Sequence, residues 1–215
     1  MDTNRLELLV SGYRDQAKPL MDDMNVRLGG SYPENCLNEI RAMLDHVSRC
    51  YRIEGEGNKT QEEKNAVCNE ELSKAEGHLR RLMYDCFKQL NILLYDAIHQ
   101  REQQTYSSRW LYIDGGTFWA KYTDGLQMAI EHVVEAKKNE SYEPDKAMEC
   151  YDKAYNAYCS VEQLLIRNRK NLAWSKCVRY FEFLNNWVVW IIVTVVLSVI
   201  SAFIGLMLQY KQIVF

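Results

Sequence analysis

Apolar residues recur three and four positions apart along most of the chain, and stretches of strict apolar–polar alternation are lacking, so the pattern predicts helices rather than sheets. A first helix is expected over residues 3–27, stopped by Gly29-Gly30. Pro33 fits the first turn of a second helix, where no N–H is needed, and that helix runs to about Ile53. The stretch Glu54-Gly55-Glu56-Gly57-Asn58 breaks it. Thr60 and Glu63 have capping-box spacing and open a third helix that meets no breaker stronger than Gly77 until about Gln104, a length near 65 Å at about 1.5 Å per residue. Asp114-Gly115-Gly116 reads as a turn, with Thr117 as the N-cap of a fourth helix ending near Lys138. Pro144 opens a fifth, which shows no breaker and is expected to run as one helix, or nearly one, to the most apolar part of the chain. Helices this long pack as bundles or coiled coils.

That apolar part is residues 187–208, WVVWIIVTVVLSVISAFIGLML, inside an uncharged interval from Phe183 to Tyr210. As a helix it reaches roughly 33 Å, enough for a hydrocarbon core of about 30 Å, and a helix satisfies its own backbone hydrogen bonds in lipid. A transmembrane helix is therefore expected; a buried core helix is the alternative. The fold class expected is all-α: an elongated cytoplasmic helical bundle continuing into a single C-terminal transmembrane helix. The divisions are a helical sensor and oligomerisation domain over 1–182, the span over 183–210, and a short external tail over 211–215.

Composition refines this picture. The first ten residues carry Asp2, Arg5 and Glu7 and no long apolar core, so no secretory signal is expected there. Arg167, Arg169, Lys170, Lys176 and Arg179 precede the span and only Lys211 follows it, which orients the N-terminus to the cytoplasm; the inner (plasma) membrane is the location expected with the layout described below. The net charge of -3 argues against a nucleic-acid binder of the broadly basic kind. Seven cysteines, without a C-x-x-C pair, are expected as reduced, buried thiols. Tyr151, Tyr155 and Tyr158, beside Ala147, Ala154 and Val161, form a core or subunit-interface stripe; they resemble one helix of a tetratricopeptide repeat, but no second copy appears at that period.

No catalytic constellation stands out. The chain lacks a P-loop, a dinucleotide-binding glycine pattern, a nucleophile elbow and H-E-x-x-H. His46 and Cys50, four apart, supply two metal ligands of the usual four, which is read as chance. No enzyme, metal or cofactor is expected.

Two features remain as candidate sites. Thr194, Ser198, Ser201 and Gly205 are spaced four, three and four apart, which puts them on one face of the span. Small residues and hydroxyls let helices associate in lipid, where no hydrophobic drive exists between them. The stripe is therefore expected to make a homo-oligomer, taken as a tetramer, and either to close a helix interface or to line a narrow pore. The second feature is the basic segment Arg167, Arg169, Lys170, Lys176 and Arg179. It touches anionic membrane lipid, or in a symmetric ring forms a vestibule for a nucleic acid or nucleotide.

An all-helical cytoplasmic domain, a terminal span with a polar stripe and a basic segment just before it form a layout that resembles the transmembrane effectors of bacterial anti-phage systems, among them the Hailong-type effectors. That resemblance implies an oligomeric, nucleic-acid-regulated channel that disrupts the inner membrane on infection. The likeness lies in layout and not in a motif, so it assigns no functional residue. The competing reading is a membrane-tethered adaptor or scaffold without pore activity. The SNARE and Bcl-2 classes fit it poorly, since the fifth helix lacks a sustained heptad seam and no Asn-Trp-Gly-Arg occurs. A weaker reading is an assembly subunit for another membrane protein.

Overall fold

The computed structural model describes the backbone of residues 2–55, 60–104 and 107–214, with their side chains except at 107–109, 112, 175–185 and 206–214. Among the described residues the fold is all-α, with seven α-helices and no strand. The expected first helix is α1 (Thr3–Gly12) and α2 (Lys18–Arg27), joined by a π-helical turn over Tyr13–Ala17. In that turn the Lys18 N–H reaches back five residues to the Tyr13 carbonyl. Pro19 follows at once. It has no N–H to continue the ladder and its ring crowds the preceding turn, and the wider π register relieves both. Gly29 (φ 71°) and Gly30 (φ 96°) end α2 in the left-handed region, and the Gly30 N–H closes onto the Asn25 carbonyl at 2.9 Å.

Helix α3 (Glu34–Glu54) starts directly after Pro33. Residues 56–59 of the expected break lie outside the described residues. The capping box that opens α4 (Gln61–Gln104) is formed in both directions: the Glu63 N–H donates to Thr60 Oγ1 at 3.3 Å, and the Thr60 N–H to Glu63 Oε2 at 2.9 Å. A 3-10 segment, Ser107–Gly116, follows and ends in the expected turn, with Asp114 at φ 48° and Gly115 at φ 62°. Thr117 is the first residue of α5 (Thr117–Asn139), and its hydroxyl donates to the Asp114 carbonyl at 2.8 Å instead of accepting a helix N–H.

The expected near-continuous final helix is interrupted once, at Asn168, between α6 (Pro144–Arg167) and α7 (Arg169–Val214). Asparagine favours such boundaries because its side chain competes for backbone groups. The Asn168 carbonyl accepts the Leu172 N–H at 3.0 Å to start α7, while its Oδ1 accepts from Asn171.

The chain forms two compact units. The first comprises Met1–Arg101 and Ala120–Leu164. Its core takes Leu9, Met21 and Met24 from α1 and α2, Cys36 and Cys50 from α3, and the inward face of α4 from Cys68 to Leu90. Ala136 of α5 and Tyr151 of α6 complete it. The expected stripe on α6 is largely core: Ala147, Tyr151, Ala154, Tyr158 and Val161 are buried, and Tyr155 is half-buried. Each buried aromatic or large aliphatic contributes about 1.5–3 kcal/mol.

Polar contacts fix how these helices sit. Arg27 at the end of α2 donates Nε to Asp23 at 2.9 Å and grips Glu162 of α6 with both terminal nitrogens, at 3.2 and 2.9 Å. The Tyr155 hydroxyl donates to the other oxygen of Asp23. Arg5 of α1 makes a similar two-pronged contact to Glu76 of α4. Cys36, Cys50, Cys68, Cys86 and Cys150 are free and buried and Cys159 is free and half-buried; Cys177 lies outside the described side chains.

The second unit comprises Glu102–Trp119 and Leu165–Phe215. In it Trp110, Ile113, Phe118, Leu165 and Leu172 are buried, and the Trp110 ring stands edge-on to Phe118 at 5.6 Å. Helix α7 carries the apolar segment.

Candidate functional site

Among the described residues one helical segment, Asn186–Gly205, is long and apolar enough to cross a membrane: mean hydropathy is 2.7 and none of it is buried. At about 1.5 Å per residue it covers roughly 30 Å. Every large apolar side chain from 187 to 204 is exposed, Trp190 at 72% and Phe203 at 63% among them. Leaving that many large side chains in water forgoes on the order of 20 kcal/mol of burial, more than the whole net stability of an ordinary domain, about 5–15 kcal/mol. The segment therefore needs an apolar surrounding that the described residues do not give it.

Within it, Thr194, Ser198, Ser201 and Gly205 stand in a sector about 60° wide on the helix circumference, as their spacing predicts. The Thr194 hydroxyl donates to the Trp190 carbonyl at 2.8 Å, and the Ser198 hydroxyl to the Thr194 carbonyl at 2.8 Å. Both are thus satisfied by their own helix, which makes the face tolerable to lipid. Each hydroxyl keeps lone pairs for a neighbouring helix. A Cβ built on Gly205 would meet nothing within 4 Å, so the position is open to close approach.

The basic segment straddles the Asn168 break. Arg167 ends α6, while Arg169 and Lys170 begin α7; all three are exposed and none forms an ion pair among the described residues. Arg167 is favoured by the carbonyl end of α6, whereas Arg169 and Lys170 sit at the amide end of α7, where positive charge is mildly disfavoured. The side chains of Lys176 and Arg179 lie outside the described residues. Trp174 is 64% exposed beside this segment.

His46 and Cys50 do not converge on one point. His46 Nδ1 meets Glu71 Oε2 at 2.8 Å, while Cys50 Sγ turns to the Cys68 carbonyl at 3.4 Å. His46 also stacks on His78, with ring centroids 5.2 Å apart, and His78 pairs with Glu39 at 2.7 Å. Glu71 is buried, and its bonds from His46 and Lys74 hold its carboxyl below the usual range despite the desolvation. The described residues hold no group of three or more His, Cys, Asp or Glu placed to ligate a metal.

One feature has no counterpart in the sequence pattern. A groove in the first unit, lined from α4, α5, α6 and the α5–α6 turn, presents Asn91, Tyr95, Lys137 and Tyr158 together. Compared with protein families, with characterised proteins and with solved structures, the chain matches none.

Proposed function

We propose that this protein is a membrane-anchored effector: α7 inserts through its 186–205 segment, identical copies associate along the Thr194, Ser198, Ser201 and Gly205 face, and the assembly forms a gated ion-conducting pore. The observation that carries the anchor is the fully exposed apolar length of 186–205. Association is supported by the one-sided placement of small and hydroxyl residues, each interhelical hydroxyl bond contributing about 1 kcal/mol in lipid. Arg167, Arg169 and Lys170 before the span favour cytoplasmic helical units, and the inner or plasma membrane, like the defence role, rests on the layout alone. In an oligomer these charges form a basic vestibule, which suits regulation by a nucleic acid or nucleotide. A role in bacterial anti-phage defence rests on the layout alone.

A second reading, a tethered adaptor without a pore, is favoured by one observation: the Thr194 and Ser198 hydroxyls are already satisfied within their own helix and need no water. Ion flux into liposomes carrying the full chain separates the two. The pore reading expects flux that changes on addition of short single-stranded oligonucleotides. It also expects flux to vanish when Thr194, Ser198 and Ser201 are all replaced by leucine while insertion persists. Flux unchanged in that triple variant removes the stripe from the mechanism. No flux with or without oligonucleotide leaves the adaptor.

A further inference from the structure

Helix α3 of the first unit carries an apolar seam that faces water. Leu37, Leu44 and Tyr51 stand seven residues apart and are 47%, 54% and 57% exposed. Ile40 and Val47 fall between them and are half-buried against the edge of the core. Apolar positions alternating at three and four are the period with which one helix presents a continuous ridge to another. Single exposed apolar residues are ordinary on a protein surface. A row of them along roughly 21 Å of one helix is a surface shaped for another helix.

The two flanks of this seam differ. On one side α3 turns Cys36, Met43 and Cys50 into the core. On the other side stand Glu34, Arg41, Asp45 and Arg52, all exposed. Glu34, Arg41 and Arg52 make no side-chain hydrogen bond or ion pair among the described residues. Asp45 takes Arg49 on one oxygen at 2.6 Å and keeps Oδ1 open.

That one-sidedness selects the occupant. In a parallel helix pair the charged flank of one helix meets the opposite flank of the other. Here the opposite flank is core, and the charges would go unmet. In an antiparallel pair related by a two-fold axis, each flank meets its own counterpart. With the axis at Leu44, that residue packs on its own copy, and Leu37 packs on Tyr51 of the second copy. The same register brings Arg41 to Asp45 of the second copy and Glu34 to its Arg52, base against acid in both cases. The seam is complementary to itself in apolar surface and in charge.

We propose that α3 is a contact between two copies of this chain, paired antiparallel through Leu37, Ile40, Leu44, Val47 and Tyr51 and bridged by Arg41–Asp45 and Glu34–Arg52 ion pairs. Faces of roughly 21 Å by 10–12 Å bury less than the roughly 1,200–2,000 Å² of an interface that is stable in solution. The contact therefore forms where copies are already held close. It rests on the α7 anchor for that proximity, and not on the α7 stripe.

Leu44→Cys puts a thiol on the two-fold axis, where it meets its own copy. Cells making the full chain are opened, oxidised with copper phenanthroline and separated into membrane and soluble fractions, which are run without reductant. The fraction that holds the chain reports the anchor, and a dimer band in that fraction reports α3. Background is set by the unaltered chain, whose cysteines are buried or half-buried among the described side chains. Leu44→Cys should link well above it, and Asn38→Cys, exposed but off the seam, should not. Arg41→Glu in the Leu44→Cys chain should slow linking about tenfold, because the two-fold axis breaks the same ion pair twice. Adding Asp45→Arg should restore most of the rate, which a merely damaged helix would not allow. No dimer with Leu44→Cys overturns the proposal, as does equal linking through Asn38→Cys. A rate indifferent to Arg41→Glu, or not recovered by Asp45→Arg, overturns it too.

Discussion

Arg27→Met cuts the ionic tie between α2 and α6, and its cost follows from the geometry. The guanidinium makes one bond to Asp23 and two to Glu162, all between 2.9 and 3.2 Å. The three side chains are 18%, 26% and 16% exposed, so solvent screens the pair only partly. Removing the cation leaves two mostly buried carboxylates, with Tyr155 still serving one of them. Breaking a fully buried pair costs about 3–5 kcal/mol, and partial exposure places this one near the lower end, about 3 kcal/mol. For a protein of this length that is a fall in Tm of roughly 6–12 °C. Arg27→Met combined with Glu162→Leu removes charge from both sides and should recover half or more of the loss, which makes the coupling at least about 1.5 kcal/mol, larger by whatever Glu162→Leu costs alone. The assay is thermal unfolding of the full chain in mild detergent, followed by circular dichroism, on the two single variants and the double. A loss below about 1 kcal/mol for Arg27→Met, or strictly additive effects in the double variant, refutes the assignment of this contact as the α2–α6 tie.

Two further outcomes test the packing and the charge account. Glu162 and Glu71 both have carboxyls held below their ordinary value by hydrogen bonds, from Arg27 and from His46 respectively. A depressed folded-state pKa stabilises the fold above the unfolded value, about 4.3, and that contribution is lost as pH falls through the folded value. Urea midpoints should therefore hold from pH 7 to 5 and fall below pH 4.5, with Glu162→Gln flattening the fall; a midpoint that rises on acidification contradicts this. Gly125→Ala should destabilise, because the new Cβ would stand 2.8 Å from Cγ2 of buried, χ1-stiff Val161. Overpacking of about 1–3 kcal/mol outweighs the gain of about 1 kcal/mol in helix propensity; adding Val161→Ala should relieve the clash, and a stabilised Gly125→Ala would contradict it.

What the sequence made legible was local. Thr60 and Glu63 lie three residues apart and cap α4 as their spacing requires, and Gly29-Gly30 stops α2 because only glycine adopts that conformation freely. An apolar helix long enough to cross a membrane, and the small-residue face along it, follow from composition and helical period alone. The π turn does not show in the apolar periodicity, which runs on across Pro19; it follows from the ladder bond that this proline removes. The break at Asn168 is faint in the sequence because one asparagine is a weak signal beside glycine or proline. The groove could not be read at all: Asn91 and Tyr151 are 60 residues apart, and an asparagine inside a leucine-rich helix declares itself only when its partners are seen. Lys137 looks like any helix-end lysine until the lining around it is known.

The claim on which the rest depends is that residues 186–205 lie in a membrane. Alkaline carbonate extraction of membranes from cells making the full chain tests it directly, beside a variant carrying Val193→Lys, Val196→Lys and Ile200→Lys, since each lysine at mid-span costs about 2.5–3.5 kcal/mol of insertion. The unaltered chain should stay in the membrane pellet and the lysine variant should move to the supernatant. Release of the unaltered chain into the supernatant would contradict the account and turn the apolar face of α7 into a protein-binding surface.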